Sequence, residues 1–444
     1  MEKEKKLGLA EVISIAVGTM IGASLFSIFG VGTRIAGNGL PVAFILSGFY
    51  ALIVAYSYAR LGGKIISNAG PIAFILEGVG DNIVTGALSV LIWISYIVSI
   101  SLFATGFAGY FLPMFDIPLS DFSKAATEIL LVAFFTALNF FGNKVVGKAE
   151  LLLVVTKISI LLLFIVGGMV TIQTDKLIPS FQLDQVDGII YASVIFFLSY
   201  MGFGLIVNTP ESMKNPEKNV PRAIFISIGI AMLIYVGVSA TAIGNLSVSK
   251  IIEVKENALA VAAEPFLGSF GFILLSIAAL FSLSSSLNAT IYGGANIAYA
   301  LAENGKLPKS FERKLWFNST NGLYITSGLS IIVVLLFDIE EIAAITSSIF
   351  TIIYIFVLVS HFKLARDYGG NRIVIGINLI MLFLLFFALQ YYQFKNRTLS
   401  FYGTLAAIAG AFVFEYFFRI VKVRKFKKRK VIEEKHKDKE TSSK

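Results

Sequence analysis

Gly18-Thr19-Met20-Ile21-Gly22-Ala23-Ser24 sits about halfway along an apolar run from 9 to 36, and Ser199-Tyr200-Met201-Gly202-Phe203-Gly204 interrupts a second run from 188 to 212. A glycine pair loosens a helix, and backbone groups freed inside lipid must find partners. Such an interruption therefore belongs where it lines a cavity. Half-helix ends at that point supply N–H groups and partial positive charge for a carboxylate, and open carbonyls for an ammonium or a cation. An α-amino acid carries both groups. Taken alone, Gly18 and Gly22 fit a helix-packing face better than a site. A second interruption five runs later tips the reading toward a site.

The surrounding sequence is overwhelmingly apolar. Of 444 residues, 56% are hydrophobic and 15% charged, with a mean hydropathy of +0.81, against roughly 45–50% apolar and about 25% charged in soluble domains. About 20 apolar residues cross a bilayer once as helix, so the chain has room for about a dozen crossings and little else. Runs bounded by charge or by Gly, Pro and Asn lie near 9–36, 40–62, 82–112, 124–142, 148–173 and 188–212, then 221–243, 268–303, 320–337, 339–362, 371–391 and 398–420. They are too long, and alternate too little, for barrel strands. The expected fold class is an all-α polytopic membrane protein of 12 transmembrane helices.

Charge orients these spans. With the N-terminus on the cytoplasmic side, 29 of the 37 Lys and Arg fall in cytoplasmic segments and seven in external ones, the bias that sets topology in membranes. Both termini are expected in the cytoplasm. MEKEKK precedes the first run with no small-residue cleavage site near its end, which reads as a retained span. The net charge of +9 does not point to nucleic acid, because about a third of the Lys and Arg lie from Arg419 onward, in a tail beginning RIVKVRKFKKRK. That placement suits a membrane surface. With no cysteine, disulfides, thiol catalysis and Cys-ligated metals are excluded. Two histidines, His361 and His436, make no metal centre.

The remaining basic residue is Lys157, nine residues into the fifth span and roughly 13 Å deep at 1.5 Å per residue. An ammonium near mid-bilayer costs from about 2.5 kcal/mol upward. The sequence sets no Asp or Glu in the interior of the neighbouring spans, and Glu150 lies two turns away toward the cytoplasmic end. The charge of such an amine should respond to local hydration and to nearby carbonyl or hydroxyl groups, so it can carry a proton across. A structural lysine held by backbone carbonyls is the plainer alternative. Ser282, Ser284, Ser285, Ser286 and Asn288 in the eighth span, Tyr96, Ser99 and Ser101 in the third and Asn139 in the fourth read as ordinary packing residues. The loop of Glu211, Lys214, Asn215, Pro216, Glu217, Lys218 and Arg222 is expected to cap the sixth span and start the seventh, with Pro221 in its first turn.

Five helices is an odd number, so a second five-helix unit enters the membrane inverted. Interruptions in the first and sixth spans are therefore the signature of an inverted repeat, with substrate at the midplane between them. The expected division is a cytoplasmic N-terminus at 1–8, a first repeat at 9–173, a second at 188–362, two further helices at 371–420 and a basic cytoplasmic tail at 421–444.

Three motifs carry a family resemblance: Gly18-x-x-Ile21-Gly22-Ala23-Ser24-x-Phe26, the loop Glu211-x-x-x-Asn215-Pro216-x-Lys218-Asn219-x-Pro221-Arg222-Ala223-Ile224, and Ala300-Leu301-Ala302-x-Asn304-Gly305-x-Leu307-Pro308. Over nearly its whole length the chain resembles the amino acid–polyamine–organocation (APC) transporters. Asn68-Ala69-Gly70-Pro71-Ile72-Ala73-Phe74-Ile75 and Glu256-Asn257-Ala258-Leu259-Ala260-Val261-Ala262-Ala263 bring it nearest to the archaeal ApcT type, proton-coupled carriers of broad specificity. The loop motif is specific; the glycines of the first span alone are not.

The resemblance implies a LeuT-like five-plus-five inverted core with helices 1 and 6 broken. It implies a substrate carboxylate at the N–H groups of Ala23 and Ser24, and an ammonium at carbonyls near Met20, Leu198 and Met201. Thr19, Ile21, Gly22, Gly202 and Phe203 complete the implied binding segments. It further implies that the Lys157 amine stands where sodium-coupled relatives hold an ion, near the Gly18 carbonyl and the Ser282 hydroxyl, and that residues 256–267 fold over the site. An aromatic gate common in the sixth helix falls on Leu198, with Phe197, Tyr200 and Phe203 beside it. No acid lies between Ile83 and Leu112, which argues against arginine or lysine as substrate.

The expected activity is proton symport of neutral amino acids through the lipid bilayer, with no cofactor, no metal and no nucleic acid. A sodium symporter or an amino acid exchanger shares the architecture, and a non-transporting sensor would usually add a signalling domain. An intramembrane enzyme needs paired carboxylates, a metal or an activated nucleophile, and the spans supply no such set.

Overall fold

Helix starts follow the chemistry of the turns before them. Asn82 accepts from the N–H groups of Val84 at 2.9 Å and Thr85 at 3.1 Å, and a helix runs from Ile83. Asp338 and Glu341 exchange side-chain bonds to each other's N–H at the start of another, a capping box. Asn215, at φ 45°, turns the chain so that Pro216 opens a helix, the position where a missing N–H costs nothing. Pro221 is therefore inside the second turn rather than at the start.

The computed structural model describes residues 6–23, 25–67, 69–141, 146–179, 182–208, 210–254, 257–303, 305–315 and 319–422. Among them no strand occurs, only the isolated bridges Leu7 with Met213 and Lys314 with Thr320. In chain order the helices are α1 (Leu9–Ala23), α2 (Phe29–Ala36), α3 (Leu40–Gly62), α4 (Pro71–Val79), α5 (Ile83–Met114), α6 (Asp121–Leu138), α7 (Val146–Met169) and α8 (Leu183–Phe196). There follow α9 (Pro216–Asn245), α10 (Val248–Val254), α11 (Ala258–Glu303), α12 (Asn321–Leu336), α13 (Ile339–Tyr368), α14 (Arg372–Asn396) and α15 (Thr398–Lys422).

Among the described residues, eight helical stretches are long and apolar enough to cross a membrane: Phe29–Gly62, Ile83–Met114, Leu183–Asn208, Pro216–Asn245, Ala258–Glu303, Ile339–Tyr368, Arg372–Asn396 and Thr398–Ile420. Leu9–Gly22, Leu153–Met169 and Asn321–Leu336 are shorter apolar helices. The first apolar run divides into α1 and α2, as its interruption requires. The helix expected over 256–267 is present from Ala258 and joins the next at Gly268, whose φ of 60° makes the kink, a backbone that glycine adopts without strain. The short helices α4 and α10 were not anticipated.

α5 lies along α11 and α3 along α9, while α1 touches α7, α9, α11 and the segment after α8. α1 is thus a central element: Ala16, Val17, Met20 and Ile21 are buried. α14 and α15 carry exposed Ile377, Leu384, Phe387, Val413 and Phe417, apolar faces suited to lipid. Charges gather at the two ends. Glu340 pairs with Arg34 and Arg397, and Arg397 also with Asp338 at 3.4 Å. At the other end Asp81 pairs with Lys306 and Arg419, each at 3.0 Å.

Candidate functional site

α1 ends at Ala23 and α2 begins at Phe29, and residues 25–28 between them are not helical. Gly18, Thr19, Met20, Ile21, Gly22 and Ala23 lie inside α1, and the break follows the glycine motif instead of centring on it. Ser24 lies outside the described residues. The last four carbonyls of an α-helix have no partner within it, which in α1 are those of Met20 through Ala23. They lend the break partial negative charge.

The glycines have a packing use as well. A Cβ at Gly18 would strike the Val154 side chain on α7, and one at Gly22 the Ser286 hydroxyl on α11. Close approach of three helices is what brings Lys157 and Ser282 to α1. Lys157 is 3% exposed, midway along α7, and its amine donates to the Gly18 carbonyl and to the Ser282 hydroxyl at 3.2 Å.

The sixth run behaves differently from the expected unwinding. α8 gives way at Phe197 to a 3₁₀ helix of 12 residues, Phe197–Asn208, that contains Leu198, Met201, Gly202 and Phe203. Runs of this kind beyond three or four residues are uncommon and often mark hinges. Carbonyls around the change of pitch are met by hydroxyls of neighbouring helices. Ser47 donates to the Ser193 carbonyl at 2.7 Å, Ser347 to that of Val194 at 2.8 Å, and Tyr235 to that of Ser199 at 2.9 Å. These bonds let the backbone leave α-helical geometry inside an apolar bundle. A Cβ on Gly202 would lie 2.8 Å from the Ala16 carbonyl oxygen and 2.9 Å from the Met20 nitrogen, so only glycine lets this segment lie against α1.

A cavity of about 130 Å³ opens beside that contact. Thr19, Leu198, Met201 and Gly202 line it; Met20, Ile21, Gly22 and Phe203 do not. Tyr96 and Ser99, read from the sequence as packing residues, line it as well, as do Tyr58 and Tyr354. Ser101 and Asn139 do keep a packing use: Ser101 donates to the Ser330 carbonyl at 2.8 Å, and Asn139 to Asn288 at 2.8 Å. None of the described lining residues is charged. Tyr354 stacks on Phe203 at 5.8 Å and meets Phe197 at 5.4 Å, which gathers two of the three aromatic neighbours of Leu198 into one cluster. Tyr200 turns away to donate to the Phe44 carbonyl at 2.9 Å. No sequence signal marked Tyr58 or Tyr354, since one aromatic in a buried span looks like any other.

A second cavity, about 620 Å³, is lined by Arg34, Lys124, Glu128, Glu340 and Arg397 among others. It shares no lining residue with the first.

A family model for amino acid permeases matches residues 7–430. The uncharacterized protein MJ0609 of Methanocaldococcus jannaschii is 57% identical over 424 residues, covering 96% of this chain and 98% of the relative. The inner membrane transport protein YbaT of Escherichia coli is 30% identical over 403 residues, covering 89% and 92%. The serine/threonine exchanger SteT of Bacillus subtilis is 26% identical over 321 residues, covering 70% and 71%. Broken and 3₁₀ helices around an uncharged cavity, long apolar spans and this match agree: the chain belongs to the amino acid permease family of the APC superfamily, multi-pass membrane transporters of amino acids and not enzymes.

Proposed function

We propose that this chain carries neutral amino acids together with protons, by alternating access of the cavity between α1 and the 3₁₀ segment. The observation that carries the reading is the buried Lys157 amine donating to the Gly18 carbonyl and the Ser282 hydroxyl. A carbonyl and a hydroxyl around one positive charge would serve a free cation equally. Tethered to the chain, this charge can come and go only with its proton. With the proton on, the amine ties α7 to α1 and α11 and favours loading. With the proton lost to the cytoplasm, the tie loosens and the inner side opens. Only a difference in affinity between the two states does this work.

The uncharged lining supports a substrate whose side chain is neutral. Its ammonium would meet carbonyls near Leu198 and Met201, with Thr19 and Gly202 beside them in the cavity wall; Met20, Ile21, Gly22 and Phe203 stand outside that wall and Ala23 inside α1, so contacts there, including those of its carboxylate with the N–H groups at Ala23 and Ser24, would require α1 to open from its C-terminal end. The reading takes the chain as 12 spans in a five-plus-five inverted repeat, residues 9–173 and 188–362, with residues 371–420 added and both termini cytoplasmic. What supports it is the pair of departures from α-helix, between α1 and α2 and after α8, five spans apart. The test is uptake of labelled amino acids into vesicles of purified protein, with pH and sodium gradients imposed separately. Accumulation driven by an inward proton gradient and indifferent to sodium is expected; accumulation that requires sodium sinks the proposal. Exchange is the second reading, favoured by the likeness to SteT, and would appear as counterflow without net uptake.

A further inference from the structure

Glu340, in the first turn of α13, is 2% exposed, and two guanidinium groups share its carboxylate. Arg34 reaches it from α2, and Arg397 from the turn between α14 and α15. Tyr392 adds a hydrogen bond at 2.9 Å. Arg34, Glu340 and Arg397 line both the cavity of about 620 Å³ described above and a neighbouring one of about 480 Å³. The cluster therefore stands between the two.

The two arginines are not equivalent. Arg397 belongs to the same packed unit as Glu340. Gln390 and Gln393 on α14 donate to the Ser348 hydroxyl on α13 at 2.9 and 2.8 Å, Gln393 also donates to the Ala344 carbonyl at 3.2 Å, and Arg397 itself donates to Asp338 at 3.4 Å. Arg34 comes from a different unit, on a helix that lies against α8 and α10. When α2 and α13 part, the Arg34 pair is the contact that breaks. Arg34 is 43% exposed and can return to water, whereas Glu340 stays buried. A buried carboxylate that loses its partner is strongly destabilised. With Arg397 and Tyr392 in place, it keeps a cation and a hydrogen bond.

We propose that Arg397 is a positioning residue of the external gate, holding Glu340 as Arg34 leaves and so making opening easier. This rests on the reading of the chain as an alternating-access carrier with this end of the molecule outside. What shifts a two-state balance is a difference between the states. Removing Arg34 takes a partner from the closed state alone. Removing Arg397 takes one of two cations from the closed state, but from the open state the one that remains. Two substitutions of the same chemistry, on partners of one carboxylate, should therefore act in opposite directions.

The chain has no cysteine, so a single introduced thiol reports alone. Ser99, on α5, lines the cavity of about 130 Å³ and has nearly the shape of cysteine. From outside it is reached only past the gate. Ser99→Cys is made alone and with Arg34→Gln, Arg397→Gln or Arg397→Lys. The rate of labelling by a membrane-impermeant methanethiosulfonate is measured on intact cells and on everted membrane vesicles, with the melting temperature of each purified protein. On intact cells Arg34→Gln should raise the rate about threefold or more and Arg397→Gln should lower it about tenfold, while Arg397→Lys, which keeps the charge, should stay within about threefold of Ser99→Cys alone. Rates that move the same way in both glutamine variants, with parallel falls in melting temperature, mark a merely structural ion cluster and overturn this assignment alone. So does a rate that Arg397→Gln leaves unchanged, or Arg397→Lys as slow as Arg397→Gln. Labelling absent from intact cells in every variant denies the cavity access from outside, and overturns the alternating-access reading together with this one.

Discussion

Lys157 donates from the middle of α7 to the carbonyl of Gly18, and Val154, one turn earlier on the same helix, fills the space where a side chain at Gly18 would go. The contact and the glycine are thus one feature: α1 comes near enough for the amine to reach its backbone because position 18 has no Cβ.

A methyl group at that place should push the two helices apart. Gly18→Ala is expected to destabilise the protein by about 1–3 kcal/mol, the usual cost of overpacking, and to weaken proton-driven uptake. Val154→Ala in the same chain should return most of the loss, a coupling of about 0.5–3 kcal/mol in a double-mutant cycle. Melting temperatures of the four proteins measure it. Strict additivity would show that the two positions do not meet.

How far the site was legible in the sequence depends on what each residue does. Gly18 and Gly22 stood out because glycine is costly in a helix and must have a use, and Lys157 because charge is rare in lipid. The change of pitch after α8 was visible only as a glycine-rich spot. Its nature, a 3₁₀ helix and not an unwound strand of chain, goes with bonds from Ser47, Ser347 and Tyr235, on three other helices, to the carbonyls of Ser193, Val194 and Ser199. Nothing local in residues 197–208 announces those partners. Tyr58 and Tyr354 were invisible for the same reason, since their place beside the cavity is a property of the helices packed around them. The long apolar spans, by contrast, follow from composition alone, and their ends from proline and capping residues such as Pro216 and Asn82.

Those three hydroxyls make a second expectation. Ser347→Ala removes the donor to the Val194 carbonyl and leaves a buried acceptor unmet, at a cost of about 1–3 kcal/mol. Tyr235→Phe should do the same at Ser199. If the 3₁₀ segment depends on these bonds, both variants should also change hydrogen exchange across 197–208 while leaving α5 as protected as before. Exchange that rises uniformly along the chain would mean general destabilisation only.

Glu340 is buried between Arg34 and Arg397 and accepts a bond from Tyr392 at 2.9 Å. Glu340→Gln keeps the shape and removes the charge that holds two guanidinium groups together. Both arginines are partly exposed, so solvent offsets part of the loss, and a drop of about 1–3 kcal/mol in stability is expected. Raising ionic strength should narrow the gap between wild type and variant, because screening weakens what the wild type gains. A gap independent of salt would place the effect in packing rather than in charge.

The last expectation separates a proton carrier from a structural lysine. Lys157→Ala has no proton to exchange, and it lacks the tie from α7 to Gly18 and Ser282. If the amine couples proton to substrate, vesicles bearing the variant should lose accumulation driven by an inward proton gradient, while counterflow between equal pH values persists within several-fold. The two activities diverge because binding and rocking use the cavity and the helices, whereas only the drive uses the charge. A purely structural lysine predicts that both fall together, along with the melting temperature. Lys157→Arg sharpens the distinction, since a guanidinium keeps its proton at any accessible pH. It should preserve the tie and the stability and still fail to accumulate substrate against a gradient. Accumulation by Lys157→Arg equal to that of wild type would remove the lysine proton from the mechanism.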